Sequence, residues 1–381
     1  MELYELNLDE YLKHLEILVN TDSGSKDPEG IKKVAVYLGD LYIQMGWSVK
    51  VHQFDDEAGP CLEIRNTNEE NIDLLLIGHM DTVFPKGTAK ERPFDIKGDK
   101  VYGPGVVDMK SGLLSMYYVL KSLKLNQLER VPSICIALNS DEEISSMFSY
   151  KWIEGLARKS KASIVLEPAR KNGALVKERK GVLKYSIDFT GVAAHAGVEP
   201  EKGVSAITEL GYWILELNKL NDYDAGTTVN VGVVSGGSAP NVVAEKANAV
   251  VDIRFKFEEE LQKVERLLKV LSENPKLKGM KVSVTKLGFR PPLNPSEESK
   301  KLYKLVEEVG KELEINIKWV STGGGSDANF TSFVGVPTVD TLGPIGAGAH
   351  GIDEYLEISS IEPRLNLLRG VIIKILNIKD S

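Results

Sequence analysis

The stretch LLLIGHMDTV, residues 74–83, sets the reading of this chain. Leu74 to Ile77 is an unbroken apolar run. Such a run suits a strand buried on both faces, because a strand with one wet face alternates instead. The run stops at Gly78, and His79 and Asp81 follow at once. In an open α/β sheet, ligands bind beyond the carboxyl ends of the strands. A histidine and an aspartate at such an end are therefore candidates for chemistry. Either residue alone is a weak sign, since a lone acid commonly caps a helix and a lone histidine commonly packs.

The same arrangement recurs along the chain. ICIALNSDEE, residues 134–143, places Asp141, Glu142 and Glu143 just after another apolar run. SIVLEP puts Glu167 at the end of a third. VYGPGVVDMKSG puts Asp108 at a glycine-rich turn before a helical pattern over 111–125. TVDTLGPIGAGAHGID puts His350 beyond a late strand. The chain has five histidines, and His79 and His350 both fall at strand ends. Imidazole and carboxylate donors suit zinc, cobalt or manganese. The conjunction of five such positions carries far more than any one of them.

Outward from these motifs, the spacing predicts a helix up to about Asn20 and another from Pro28 to Met45, with Gly46 after its end. Strands at 133–138 and 164–166 alternate with helices, which implies a sheet with helices on both faces. After about Lys177 the texture changes. Tyr185, Ile187 and Phe189 alternate with polar residues, as do Val229, Val231 and Val233, and then Val251, Ile253, Phe255 and Phe257. Helices over 204–220 and 258–271 separate these strands. This block reads as a sheet covered on one face by two helices. From Pro291 the doubly covered pattern returns, with a helix over 296–313, short strands over 333–339 and a last helix from about Ser359. The fold class is α/β: a mixed-sheet domain, residues 1–178 and 291–381, interrupted by an inserted α+β domain, residues 179–290.

The bulk properties agree. A chain of 381 residues exceeds the length at which one core stops growing. Its 42% hydrophobic and 27% charged residues are an ordinary globular mix. A net charge of −8 argues against a nucleic-acid partner, which needs a basic face. No apolar run approaches the ~18 residues of a membrane span. The two cysteines, Cys61 and Cys135, offer no disulfide framework or paired-cysteine metal knuckle. The start carries charges throughout and lacks the pattern of a secretory leader, so the expected location is cytoplasmic.

In order, GHMDTV, GPGVVDMKSG, SDEE, LEP, GVAAHAG, GGGSDAN and HGIDE resemble the M20 metallopeptidases, and within them the carboxypeptidase G2-like, or glutamate carboxypeptidase, branch. The resemblance runs from about Leu74 to the C-terminal helix. It implies a zinc-peptidase catalytic domain with two zinc ions per subunit, cobalt or manganese being the alternatives. His79 and His350 would each bind one metal, Asp108 would bridge them, and Glu143 and Glu167 would complete one position each. Asp81 would hydrogen-bond His79 and fix its tautomer. Glu142 would be the general base, working on a water that two metals share and acidify. The resemblance also implies a cis peptide between Asp108 and Met109.

It implies further that the inserted block is a lid and dimerisation domain. His195, in GVAAHAG, would stabilise the developing oxyanion in the partner subunit of a homodimer. Asn241 and Arg254 would bind the free carboxylate of the substrate. Gly324 and Gly325, in GGGSDAN, would offer backbone N–H groups. Members of the family often carry Lys-Gly after the bridging aspartate, where this chain has Lys110 and Ser111, neither of them a ligand.

The expected function is hydrolysis of an amide bond, releasing a C-terminal, glutamate-like residue from a small peptide or N-acyl amino acid. GFRPPLNPSEESKKLYKL, residues 288–305, resembles the glutamate-releasing branch. A biosynthetic deacylase, acting on acetylornithine or succinyl-diaminopimelate, is the first alternative. A dipeptidase or aminopeptidase is a second, and Glu167 counts against it, because the family's aminopeptidases carry aspartate there. A non-catalytic binding module is the reading from a different class, opposed by the intact donor set and Glu142.

Overall fold

The computed structural model describes residues 3–125 and 128–378. The chain divides into two compact units. One comprises Met1–Glu178, Leu293–Thr322 and Ser326–Ser381, and the other Arg179–Pro292 with Gly323–Gly325.

The first unit is built on a mixed six-stranded sheet. Its order is Ser48–His52, Cys61–Arg65, Ile134–Asn139, Leu74–His79, Ser163–Val165, Thr338–Asp340. The last four are parallel to one another, Cys61–Arg65 runs antiparallel to Ile134–Asn139, and Ser48–His52 runs antiparallel to Cys61–Arg65. Alternate residues of the Leu74–His79 strand enter different cores. Leu74 and Leu76 pack with the helices Leu8–Val19, Pro28–Gln44, Ser111–Ser122, Glu297–Glu312 and Ile361–Leu376. Leu75 and Ile77 pack on the opposite face with Ile153, Leu156 and Phe330. Both faces are dry, which is why this strand is apolar at every position up to Ile77.

Several elements differ from the sequence reading. The helix expected over 111–125 ends at Ser122, and Lys124 takes a positive φ of 46°. Residues expected as strand from Phe333 instead close the short helix Ala328–Phe333, which Gly335 terminates at φ 87°, and only Thr338–Asp340 is strand. The strands Ser48–His52 and Cys61–Arg65 come as additions. Ser48–His52 is an exposed edge strand, and charged side chains such as Lys50 interrupt its apolar signal.

The second unit is an antiparallel sheet in the order Thr228–Gly236, Lys246–Phe255, Gly181–Thr190, Lys281–Arg290. Leu183, Tyr185, Ile187 and Phe189 pack with Trp213 of the helix Ala206–Asn218 and with Val264 and Leu268 of the helix Glu258–Glu273. The intervening Ser186 and Asp188 receive hydrogen bonds from Asn248 at 2.9 and 2.8 Å. The strand Lys281–Arg290 was not anticipated.

Candidate active site

Strand register assembles the site. His79 is the last residue of its strand and lies opposite Asn139. On the other side, Ile77 pairs with Val165, so Glu167 emerges level with His79. Past Asn139 and Ser140, Asp141 leads into a tight turn over Glu142–Ile144 that carries Glu142 and Glu143. Asp108 arrives from elsewhere, on the loop that leaves the short strand Lys100–Tyr102. That loop turns at Gly105, where φ is +72° and a Cβ would sit 2.6 Å from Thr82 Cγ2. The peptide between Asp108 and Met109 is cis.

These side chains meet at the carboxyl edge of the sheet. Asp108 Oδ1 lies 3.2 Å from His79 Nε2, and its Oδ2 lies 3.3 Å from His350 Nε2. Glu167 Oε1 stands 3.8 Å from His79 Nε2, and Glu143 Oε2 stands 3.1 Å from His350 Nε2. Donor atoms of His79, Asp108 and Glu143 fall within 4.8 Å of one another, as do those of His79, Glu142 and Glu167. Tetrahedral ligands about 2.0–2.1 Å from a zinc ion lie roughly 3.3 Å apart, so the donor spacing fits such ions.

Electrostatics are strong in so dense a cluster. Burial raises the Asp108 carboxyl, but hydrogen bonds to His350 and His79 outweigh it and hold it well below the usual range. Hydrogen bonds to Asp108 and Glu143 push His350 up to about 11. Burial lowers His79, yet its bonds to Asp108 and Asp81 carry it well above 6.5. Burial raises Glu143.

The supporting contacts refine the expected role of Asp81. His79 Nδ1 donates to the backbone carbonyl of Asp81 at 2.9 Å, which aims Nε2 at Asp108 and Glu167. The Asp81 carboxylate stands 3.4 Å from Nδ1 and is engaged mainly elsewhere. It accepts from Ser25 Oγ at 2.7 Å and from the backbone N–H groups of Glu142 and Glu143 at 3.1 and 3.2 Å. Asp81 thus orients both the imidazole and the turn that carries the two glutamates. Asp141 does not face the donors; it accepts from the N–H groups of Phe148 and Ser149 and closes that turn.

Sequence reasoning assigned no role to Ser25 or Glu354. Glu354 is 1% exposed and accepts three backbone N–H groups of the Asp108 loop. Its signal was its place at the end of HGIDE, a motif read only for its histidine.

The remaining expected residues lie in the second unit and form two groups. His195 and Asn241 are neighbours, because Ala196 N–H donates to Asn241 O at 2.9 Å and His195 bridges to Val242. His195 Nδ1 accepts from Gly197 N–H at 3.1 Å, so the neutral ring carries its proton on Nε2 and presents a donor there. Arg254 sits at the other end of the Lys246–Phe255 strand. It holds Asp252 through two bonds of 2.7 and 2.9 Å and donates to Gly323 O at 3.2 Å. Arg179 donates to the carbonyls of Gly324 and Gly325, each at 3.1 Å. Asn241 lies beyond the Lys246 end, and at about 3.3 Å per residue the strand alone separates the groups by roughly 26 Å. The joint carboxylate clamp expected of Asn241 and Arg254 therefore cannot form within one chain.

A close cluster of imidazoles and carboxylates, anchored by buried His79 and Glu167 on the edge of an α/β sheet, defines a class, the metal-dependent hydrolases. The chain belongs to the M20 family: residues 75–374 match Peptidase family M20/M25/M40. It is 31% identical to carboxypeptidase G2 of Pseudomonas sp. (strain RS-16), over 95% of this chain and 88% of that protein. It is 28% identical to acetylornithine deacetylase of Buchnera aphidicola subsp. Schizaphis graminum, over 81% of this chain and 84% of the relative. An M20 family metallo-carboxypeptidase from Sulfolobus solfataricus shares the fold at a TM-score of 0.78 and 19% identity, covering 97% of this chain and 99% of the other. Among the described residues, no helix is long and apolar enough to cross a membrane.

Proposed function

We propose that this hydrolase is a two-metal carboxypeptidase that releases a C-terminal, glutamate-like residue from a small peptide or N-acyl amino acid. The observation that carries the metal reading is the division of Asp108, one oxygen toward each histidine at 3.2 and 3.3 Å. His79 and Glu167 would hold one ion, His350 and Glu143 the other, and Asp108 would join them. Zinc suits this nitrogen and oxygen set, with cobalt or manganese as alternatives. When bound, such a pair of ions acidifies the attacking water and polarises the scissile carbonyl.

The chain's own residues do the rest. Glu142 takes the water's proton and later delivers it to the leaving nitrogen. Asp81 holds the Glu142 backbone, so the base is oriented by the group that also orients His79. His195, with its proton on Nε2, donates to the developing oxyanion. Arg254 binds the free α-carboxylate, with its fork aligned by Asp252.

The separation of Asn241 and His195 from Arg254 along one strand supports a homodimer in which each chain lends His195 and Asn241 to its partner. Mixing two inactive variants tests this. His195→Ala and Glu142→Ala chains, dissociated and reassembled together, should recover up to about a quarter of wild-type activity, since half of random dimers are mixed and each holds one complete site. No recovery would contradict the shared site.

Similarity to carboxypeptidase G2 favours the carboxypeptidase reading of the substrate, and 28% identity to acetylornithine deacetylase keeps the deacylase as the second. A panel on the zinc-loaded enzyme separates them. Peptidyl- and aroyl-glutamates should turn over at least about tenfold faster, in kcat/KM, than acetylornithine or succinyl-diaminopimelate, a difference of about 1.4 kcal/mol. The reverse order would give the deacylase.

A further inference from the structure

We infer that Glu354 is a positioning residue that sets the orientation of Asp108, so that both metal positions depend on one side chain outside the donor set. The inference rests on the reading that Asp108 joins two metals.

Topology puts Glu354 where it acts. The strand Tyr355–Glu357 pairs with Lys100–Tyr102, and Tyr355 lies opposite Tyr102. The residue just before Tyr355 therefore faces the loop that leaves Tyr102 and carries Asp108. Three backbone N–H groups of that loop converge on the Glu354 carboxylate. Gly105 N donates to Oε2 at 2.8 Å, and Val107 N and Asp108 N donate to Oε1 at 2.9 and 3.0 Å. A carboxylate this buried is costly unless such bonds satisfy it, and charge-assisted bonds are the stronger kind. Lys110 braces the carbonyl side of the same loop, with Nζ donating to Pro104 O at 3.2 Å and to Thr21 O at 3.0 Å.

Glu354 also lies four residues after His350. One carboxylate thus ties the segment bearing the second histidine to the loop bearing the bridging aspartate. Asp81, by contrast, meets Ser25, the His79 side and the glutamate turn. Loss of the Glu354 bonds should disturb Asp108 toward both histidines together.

Glu354→Gln tests this. The amide sets an NH2 group against at least one backbone N–H, so at least one of the three bonds is lost. Zinc titration against a competing chelator should show both positions weakened by about 10–100-fold, the usual cost of losing a partner that orients ligands. Cobalt-loaded protein should show shifted visible bands. Glu354→Asp keeps the charge with a shorter reach and should recover part of the affinity. Circular dichroism of the metal-free variants checks folding, and if Glu354→Gln fails to fold, Glu354→Asp gives the readout. Glu209→Gln is the structural control. Glu209 is fully buried in the second unit and accepts from Lys276 N at 2.9 Å and Leu277 N at 2.8 Å. Its variant should lose thermal stability and keep wild-type zinc affinity. Wild-type affinity at either position in Glu354→Gln, or an equal loss in Glu209→Gln, would overturn the assignment. Wild-type protein that takes up no zinc would overturn this inference together with the metal reading beneath it.

Discussion

Glu142→Ala should lower kcat by about 10²–10⁴-fold, the range a positioned general base contributes, while each chain still takes up two zinc ions. In the proposed mechanism, the two adjacent glutamates do different work. Glu143 reaches His350 Nε2 at 3.1 Å and is proposed as a donor. Glu142 lies in a group with His79 and Glu167 whose donor atoms are within 4.8 Å, close enough to act as either base or ligand. Turnover and metal content, measured on the same preparation, separate the two roles. A base costs turnover alone, whereas a ligand costs zinc as well. Zinc lost in step with activity would move Glu142 into the donor set, and unchanged turnover would leave the reaction without its base.

Asp108→Asn should be more severe, abolishing measurable turnover and reducing zinc content from two ions per chain to one or fewer. The amide keeps one acceptor oxygen and replaces the other with an NH2 group. Whichever way it turns, it points donor hydrogens at one metal position. It also removes the negative charge that faces His79 and His350 at 3.2 and 3.3 Å. The loss in affinity should exceed the roughly 10–100-fold cost of removing a mere outer partner. Glu143→Gln should weaken chiefly the position beside His350. Elemental analysis after dialysis reads both. Two tightly held ions in Asp108→Asn would show that the aspartate does not join them.

Legibility in the sequence followed burial. His79, Glu143 and Glu167 stand at the ends of apolar runs that both cores bury, so composition alone marked the strand ends. The Ser48–His52 edge strand carries no such mark, because one side of it is wet. The twofold task of Asp81 was out of reach for a different reason. Whether its backbone or its carboxylate meets His79 depends on a turn geometry that residue types do not encode. The wide separation of Asn241 and Arg254 was nearly in view, since the residues between them alternate as a strand. Extending that strand to Lys246 would have set the two groups apart. Glu354 escaped because HGIDE was read only for its histidine, and its contact with the Asp108 loop follows from the pairing of Tyr355 with Tyr102.

Asp108 is proposed to join two metals, one beside each histidine. Anomalous diffraction at the zinc edge from crystals of the zinc-loaded enzyme tests it most directly. Two peaks are expected, one beside His79 and Glu167 and one beside His350 and Glu143, each within bonding distance of a different oxygen of Asp108. A single peak, or two peaks with Asp108 bound to only one, would contradict it.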